Sequence, residues 1–139
     1  MKSLLNIYRI GCWSFILVGL GHIVTSMLIP DTPERNQIIQ EMKHFSISMG
    51  GTESNLYLFH EGFSLMMGLL LIAYGVLNLS LTKATIFPNN FTIIINIFTS
   101  FFAFIVSINY FFIVPVLFLS FAFLCFLITL IFSFKLRKN

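Results

Sequence analysis

Four long apolar segments alternate with short polar segments along the chain. They cover about residues 10–29, 56–79, 91–109 and 116–134. Each approaches the ~20 residues that a helix needs to cross a hydrocarbon core of ~30 Å. Because lipid offers the backbone no hydrogen-bond partner, each segment is predicted to be helical. The pattern therefore predicts an all-α fold: a transmembrane four-helix bundle that forms one integral membrane domain over residues 1–139.

The segment of residues 30–55 is long for a connection within a bundle. Thr32 as N-cap, Pro33 as the first helical residue and Glu34 in the first turn predict a helix start here. An apolar stripe at helical spacing follows, and Gly50-Gly51 ends it. Its members are Ile38, Ile39, Met42 and Phe45. We expect a short amphipathic helix on the outer mouth of the bundle or in the membrane interface. A mobile solvated loop is the alternative.

Charge predicts the orientation of the four spans. With both termini inside, the inner segments hold Lys2, Arg9, Lys83, Lys135, Arg137 and Lys138, and the outer loop holds Arg35 and Lys43. All acidic residues fall on the outer side: Asp31, Glu34, Glu41, Glu53 and Glu61. The excess of basic residues on one side predicts cytoplasmic N and C termini in the inner (plasma) membrane.

Composition excludes several classes of protein. The chain is 58% hydrophobic and 9% charged, whereas a soluble domain carries about 25% charged residues. The basic residues lie at the ends of the apolar segments and form no patch, so no nucleic-acid partner is expected. Cys12 and Cys125 lie inside apolar segments without metal-binding spacing, and neither a disulfide framework nor a zinc site is predicted.

Small and polar residues recur every three or four positions in each span. Such residues allow close helix approach and hydrogen bonding between helices, so they mark the inward faces. The stripes are Gly11, Ser14, Val18/Gly19, His22 and Ser26; Tyr57, Glu61, Ser64, Gly68, Gly75 and Asn78; Thr92, Asn96, Thr99, Ala103, Ser107 and Tyr110; and Ala122, Cys125, Thr129 and Ser133. Most of them are expected to be structural, including Asn78 and Asn96.

Three ionisable residues share one predicted depth in the outer half of the bundle. At 1.5 Å per residue, His22, His60 and Glu61 lie within about 5 Å of one level. Glu61 continues the polar stripe of its span, so we expect it to face the bundle and to pair with His22. An ionisable side chain at this depth is costly unless it pairs or lines a wet cavity. The predicted pocket consists of His22, His60, Glu61, Ser64, Asn109 and Tyr110.

The leading hypothesis is a binding protein or accessory subunit for a hydrophobic small molecule or lipid, with the loop helix as its lid. The second is a small membrane enzyme that uses Glu61 and His22 as an acid–base pair on a lipid-like or quinone substrate. The third is a structural or assembly subunit in which His22 and Glu61 only lock two helices together. A homo-oligomer or a larger membrane complex is compatible with each.

Two cofactor chemistries also remain open for the pocket. Haem could take His22 and His60 as axial ligands from neighbouring helices. A divalent metal could take both histidines and Glu61. Neither spacing is diagnostic, so the cofactor is unknown and no metal site is assigned.

Two stretches of sequence resemble a known family. Gly21-His22 in the first span and GFSLMMGLLLIAYGVLNL, residues 62–79, in the second resemble the DoxX-like group of small bacterial membrane proteins. The resemblance implies four helices with both termini inside. Members of that group are implicated in redox-partner and quinone-linked roles, but the likeness carries no catalytic residue onto this chain.

Overall fold

The computed structural model describes residues 2–82 and 87–138 of the chain. The described elements are five helices and one antiparallel hairpin. They are α1 (Lys2–Leu28), α2 (Pro33–His44), β1 (Ser46–Met49), β2 (Thr52–Asn55), α3 (Leu56–Ser80), α4 (Asn90–Tyr110) and α5 (Ile113–Lys138). By length and composition, α1, α3, α4 and α5 are each able to cross a membrane.

The four predicted spans correspond to these four helices. The bounds of α3 and α4 agree with the prediction to within one residue at each end. α1 begins eight residues earlier than predicted, at Lys2. α5 begins three residues earlier than predicted, at Ile113, so Pro115 lies at the third position, within the first turn. Proline is harmless there because the first backbone N–H groups of a helix have no intrahelical acceptor. The predicted link between α3 and α4 includes residues 83–86, which lie outside the described residues.

The long loop contains the predicted helix and an unpredicted hairpin. Thr32 is the N-cap of α2 and accepts a hydrogen bond from the Arg35 backbone N–H, and Pro33 begins the helix. Gly50 and Gly51 form the turn of this hairpin. Both have positive φ, 60° and 81°, as a two-residue hairpin turn requires. They connect β1 to β2 in register from Ser46↔Asn55 to Met49↔Thr52.

The spanning helices pack in the spatial order α3–α1–α5–α4. α1 packs along both α3 and α5, and α5 packs along α4. We call the end of the bundle next to β1–β2 the hairpin end and the opposite end, where α1 begins and α5 finishes, the termini end. The buried residues of α1 all fall between Leu4 and Gly19. The bundle is therefore more closely packed in the middle and toward the termini end than at the hairpin end.

Side chains from α1, α4 and α5 form the hydrophobic core. Phe126 lies at its centre, with the Tyr8 ring edge-on at 5.3 Å between centroids and the Phe15 ring at 6.5 Å. The other fully buried members include Cys12, Ile93 and Ala122. α3 contributes no large buried side chain to this core, since its buried residues are Gly68, Gly75 and Asn78. Leu71, Tyr74 and Leu79 of α3 pack against this core but are only partly buried.

Glycines bring the backbones of α1 and α3 together. A Cβ added at Gly19 would lie 2.6 Å from the Gly68 carbonyl oxygen. A Cβ added at Gly75 would lie 2.7 Å from the Cys12 carbonyl oxygen. Both distances are too short for a methyl group, so only glycine permits this approach. In a membrane the lipid is as apolar as the helix surface, so close packing of this kind, rather than the hydrophobic effect, drives helices to associate.

Most of the remaining surface of the spanning helices is apolar. Phe63, Phe98 and Phe102 are each at least 60% exposed, and Met27 and Leu28 exceed 70%. A contiguous apolar surface of this extent is incompatible with water and compatible with lipid. The four helices thus fit a small multi-pass membrane protein.

Replacement of Gly19 by alanine should lower stability. The new Cβ meets the backbone of α3, which cannot rotate away, and overpacking of this kind costs about 1–3 kcal/mol. Gly21→Ala is the matched control, because its added Cβ lies more than 4 Å from every heavy atom of the other helices. The free energy of unfolding in mixed detergent micelles would measure both variants. Equal stabilities for the two would contradict the proposed backbone contact.

Candidate functional site

His22 and Ser64 form the polar contact between α1 and α3 nearest the hairpin end. His22 Nε2 and Ser64 Oγ lie 2.8 Å apart and share a hydrogen bond. Both residues are half-buried. The Phe111 ring, between α4 and α5, lies edge-on to the imidazole at 6.2 Å between centroids. Two of the predicted pocket residues are therefore in direct contact, three residues along α1 from the Gly19 backbone contact.

Glu61 does not face the bundle as predicted. Its side chain is 50% exposed, and its closest ionic partner is the neighbouring His60, with Nδ1 and Oε1 3.8 Å apart. The His60 side chain is 64% exposed. Glu61 lies about 100° around α3 from His60 and about 60° from Ser64. This 60° separation is enough to direct Ser64 toward His22 and Glu61 toward the surface. The predicted Glu61–His22 pair is replaced by His22–Ser64.

Asn109 and Tyr110 also lie on the surface. Asn109 donates a hydrogen bond to the Ile105 carbonyl oxygen in its own helix. Tyr110 is 80% exposed at the end of α4. The structure places both at the hairpin end, as the sequence predicts, but neither is hydrogen-bonded to His22 or Ser64. Their participation in ligand binding stays a prediction.

The cofactor hypotheses gain no support from side-chain geometry. Within residues 2–82 and 87–138, no three His, Cys, Asp or Glu side chains come together as metal ligands do. The divalent site of His22, His60 and Glu61 is therefore not formed in this arrangement. Haem ligation by His22 and His60 stays a prediction.

A buried polar layer joins α1, α3 and α4 toward the termini end. The Tyr8 hydroxyl donates to Asn78 Oδ1 at 3.1 Å. Asn96 Nδ2 donates to the Tyr8 hydroxyl and to Asn78 Oδ1, each at 2.8 Å. The Tyr74 hydroxyl donates to Asn96 Oδ1. Asn96 uses both amide protons and its carbonyl oxygen, so the layer is internally satisfied.

This layer is the feature that sequence reasoning underestimated. The spacing predicts that Asn78 and Asn96 face inward, but Tyr8 belongs to none of the predicted stripes and Tyr74 lies outside the period of α3. A buried amide needs three or four partners, and that requirement was the available signal. Which residues supply them depends on the approach of three helices and cannot be read from spacing within one.

α3 and α4 are fastened to each other at this layer. Both side-chain hydrogen bonds between them among the described residues end on Asn96. Of the spanning helices, α3 packs extensively against α1, and α4 against α5. Between this layer and the hairpin end, no side-chain hydrogen bond joins α3 to α4 among the described residues.

Comparison of the chain with protein-family models, curated proteins and solved structures finds no match. Fold and site together define a class, a small helical protein with four helices able to span a membrane. The resemblance to the DoxX-like group stays a prediction.

Asn96→Leu should destabilise the protein. It leaves Tyr8, Tyr74 and Asn78 without their shared partner, and unsatisfied buried groups cost about 1–3 kcal/mol. Asn109→Leu is the control on the same helix, because Asn109 is exposed and bonds only within its own helix. Detergent unfolding of the two variants gives the comparison. A change for Asn96→Leu no larger than that for Asn109→Leu would show that the layer does not hold the helices together.

Proposed function

We propose that the protein binds an amphipathic small molecule or lipid at the His22–Ser64 pair. The observation that carries the proposal is the position of this pair, half-buried and hydrogen-bonded at the poorly packed end of the bundle. Imidazole and hydroxyl groups both donate and accept hydrogen bonds, so together they suit a ligand carbonyl or hydroxyl. The exposed Phe-rich faces of α3 and α4 suit its apolar part.

Binding is better supported than catalysis at this pair. The 2.8 Å between His22 Nε2 and Ser64 Oγ matches a general base beside a nucleophile, which keeps a membrane enzyme as the second candidate. A catalytic histidine is normally oriented by a third group. No hydrogen bond to His22 Nδ1 is found among the side chains that the structure describes. Ser64 also lies inside α3, where backbone N–H groups are engaged in the helix and cannot stabilise an oxyanion.

The proposed placement in the membrane has both termini on the cytoplasmic side and α2 in the outer interface. The charge distribution supports the orientation. Ile38 and Phe45, members of the apolar stripe, are 58% and 61% exposed, and none of the α2 residues is buried. Lys43 Nζ lies 5.2 Å from the centroid of the Tyr57 ring at the start of α3. α2 therefore lies beside the first turn of α3 with Ile38 and Phe45 of the stripe exposed, whereas Ile39 and Met42 are half-buried.

Loss of either partner of the pair should weaken ligand retention. Ser64→Ala and His22→Ala each remove one partner of the bound ligand and leave a ligand carbonyl or hydroxyl unpaired. Such an unpaired group costs about 1–3 kcal/mol of binding, where 1.4 kcal/mol is a factor of ten. Ser26→Ala is the control, because Ser26 is exposed and bonds only to the Ile23 carbonyl oxygen. Native mass spectrometry of protein purified in mild detergent would measure the co-purifying ligand.

We expect a defined adduct that falls about tenfold in the two site variants and persists in the control. An adduct equally abundant in all three variants would reject the proposed site. A second arm tests the enzyme alternative: Ser64→Ala should abolish turnover of an ester lipid while ligand retention falls no further than in His22→Ala. Hydrolysis that survives Ser64→Ala would exclude the serine mechanism.

The orientation has its own test. A fluorescent protein fused after Asn139 should fold and fluoresce, because the proposed C terminus is cytoplasmic. Alkaline phosphatase inserted between Gly50 and Gly51, at the hairpin turn, should be active, because that turn is proposed to lie outside. The reverse pattern of fluorescence and phosphatase activity would overturn the orientation without affecting the fold.

A further inference from the structure

The Arg9 side chain of α1 is held beside the end of α3 at the termini end of the bundle. Its Nε donates a hydrogen bond to Thr82 Oγ1 at 3.3 Å. The Thr82 hydroxyl donates in turn to the Leu79 carbonyl oxygen at 2.7 Å. Arg9 and Thr82 are both half-buried. These two bonds connect the guanidinium to the last turn of α3, so the protein positions the charged group.

The two terminal nitrogens of Arg9 remain available to another acceptor. Neither Nη1 nor Nη2 makes a hydrogen bond or an ion pair within the described part of the chain. The carbonyl oxygens of Leu77 and Leu79 already accept hydrogen bonds from the backbone of Leu81 and Thr82, so the end of α3 does not require them. A guanidinium is always charged, and a half-buried charge on a membrane helix is costly without a partner.

The acidic side chains of the protein lie at the other end of the bundle. All five Asp and Glu residues fall between Asp31 and Glu61, in the connecting loop and the first turns of α3. All Lys and Arg residues other than Arg35 and Lys43 lie outside that range. The termini end is therefore complementary to an anion. It would repel the ammonium group that a zwitterionic headgroup carries beside its phosphate.

Arg9 lies at the level of lipid headgroups. α3 has 25 residues, or about 37 Å, which exceeds a ~30 Å hydrocarbon core but not the ~40–45 Å that includes the headgroups. Thr82 lies just beyond the last residue of α3, Ser80, and so at headgroup depth when α3 is centred in the bilayer. Trp13, one turn after Arg9 on the same face of α1, is 51% exposed. Indole rings favour this interface.

We infer that Arg9, positioned by Thr82, binds the phosphate of an anionic phospholipid in the leaflet at the termini end. The planar fork of Nη1 and Nη2 matches two phosphate oxygens, while Nε keeps its bond to Thr82. This lipid site is distinct from the His22–Ser64 pair, because Arg9 and His22 are about 20 Å apart along α1. The inference is independent of the proposed function, and neither fails with the other.

The test compares two lipids that share their acyl chains and differ in headgroup charge. Palmitoyl-oleoyl-phosphatidylglycerol or palmitoyl-oleoyl-phosphatidylcholine is added to delipidated protein in mild detergent, and native mass spectrometry measures the bound fraction. Arg9→Gln removes the guanidinium fork. Lys2→Gln is the matched control, because it removes the same charge from an exposed residue at the same end of α1. Inorganic phosphate is added as a competitor to distinguish a lipid site from a site for free phosphate.

We expect the wild type to retain more phosphatidylglycerol than phosphatidylcholine. Arg9→Gln should lower the retention of phosphatidylglycerol about tenfold, whereas Lys2→Gln should lower it no more than about twofold. An equal loss in the two variants would show that only the overall positive charge acts and would overturn the site. Equal retention of the two lipids by the wild type would also overturn it. Displacement of the lipid by millimolar inorganic phosphate would overturn the assignment to a lipid.

Two further variants separate lost binding from a folding defect. Arg9→Lys keeps the charge without the planar fork, and Thr82→Val keeps the guanidinium without the hydroxyl that positions it. Both should retain less phosphatidylglycerol than the wild type and more than Arg9→Gln. Size-exclusion profiles and helical circular dichroism, matched to the wild type, identify the variants that fold. Folded Arg9→Lys and Thr82→Val that both retain the lipid as the wild type does would overturn the inference even when Arg9→Gln does not fold.

Discussion

The backbone contact between α1 and α3 is the constraint on which the remaining contacts of α3 depend. Gly19 meets Gly68, and Gly75 meets the Cys12 carbonyl. Because the two helices are antiparallel and touch at these points, their register is set on both sides of the contact. Toward the hairpin end it brings His22 to Ser64, and toward the termini end it brings Tyr8 to Asn78. α3 has no large fully buried side chain, and the glycines let it approach α1 closely enough for both polar contacts to form.

The Asn96 layer and the His22–Ser64 pair differ in how many hydrogen-bond donors and acceptors they leave free for a ligand. At the Asn96 layer every strong donor and acceptor of the central amide is used by protein. A satisfied network of this kind fixes how helices meet and offers little to a ligand. His22 and Ser64 satisfy each other through one hydrogen bond and are only half-buried. Imidazole and hydroxyl retain further hydrogen-bonding capacity, which is why we propose the ligand site at this end of the bundle.

The four long helices were predictable because a segment that crosses lipid must satisfy its own backbone hydrogen bonds. Apolar length alone predicted the four spanning helices, and local capping rules predicted the start of α2 at Thr32 and Pro33. The hairpin is absent from the predicted fold although Gly50-Gly51 is a hairpin-turn signal, because glycines are equally typical of a helix end. The direction of Glu61 also differs from the prediction. Steps of three and of four residues rotate in opposite directions around a helix, by about 60° and about 40°. A stripe built from such steps therefore does not fix the direction of each member.

The sequence predicted only some of the residues that meet at the candidate site, and the reason is physical. A membrane helix must satisfy an ionisable residue somehow, and Glu61 was expected to do so by pairing inward with His22. At the first turns of α3 the surface is an available alternative, and Glu61 lies there, half-exposed beside His60. Ser64, three residues further along α3, takes the inward contact instead. The imidazole therefore has a hydroxyl rather than a carboxylate as its partner. Because a hydroxyl and an imidazole both donate and accept hydrogen bonds, the pair suits a lipid ester or hydroxyl as a proposed ligand.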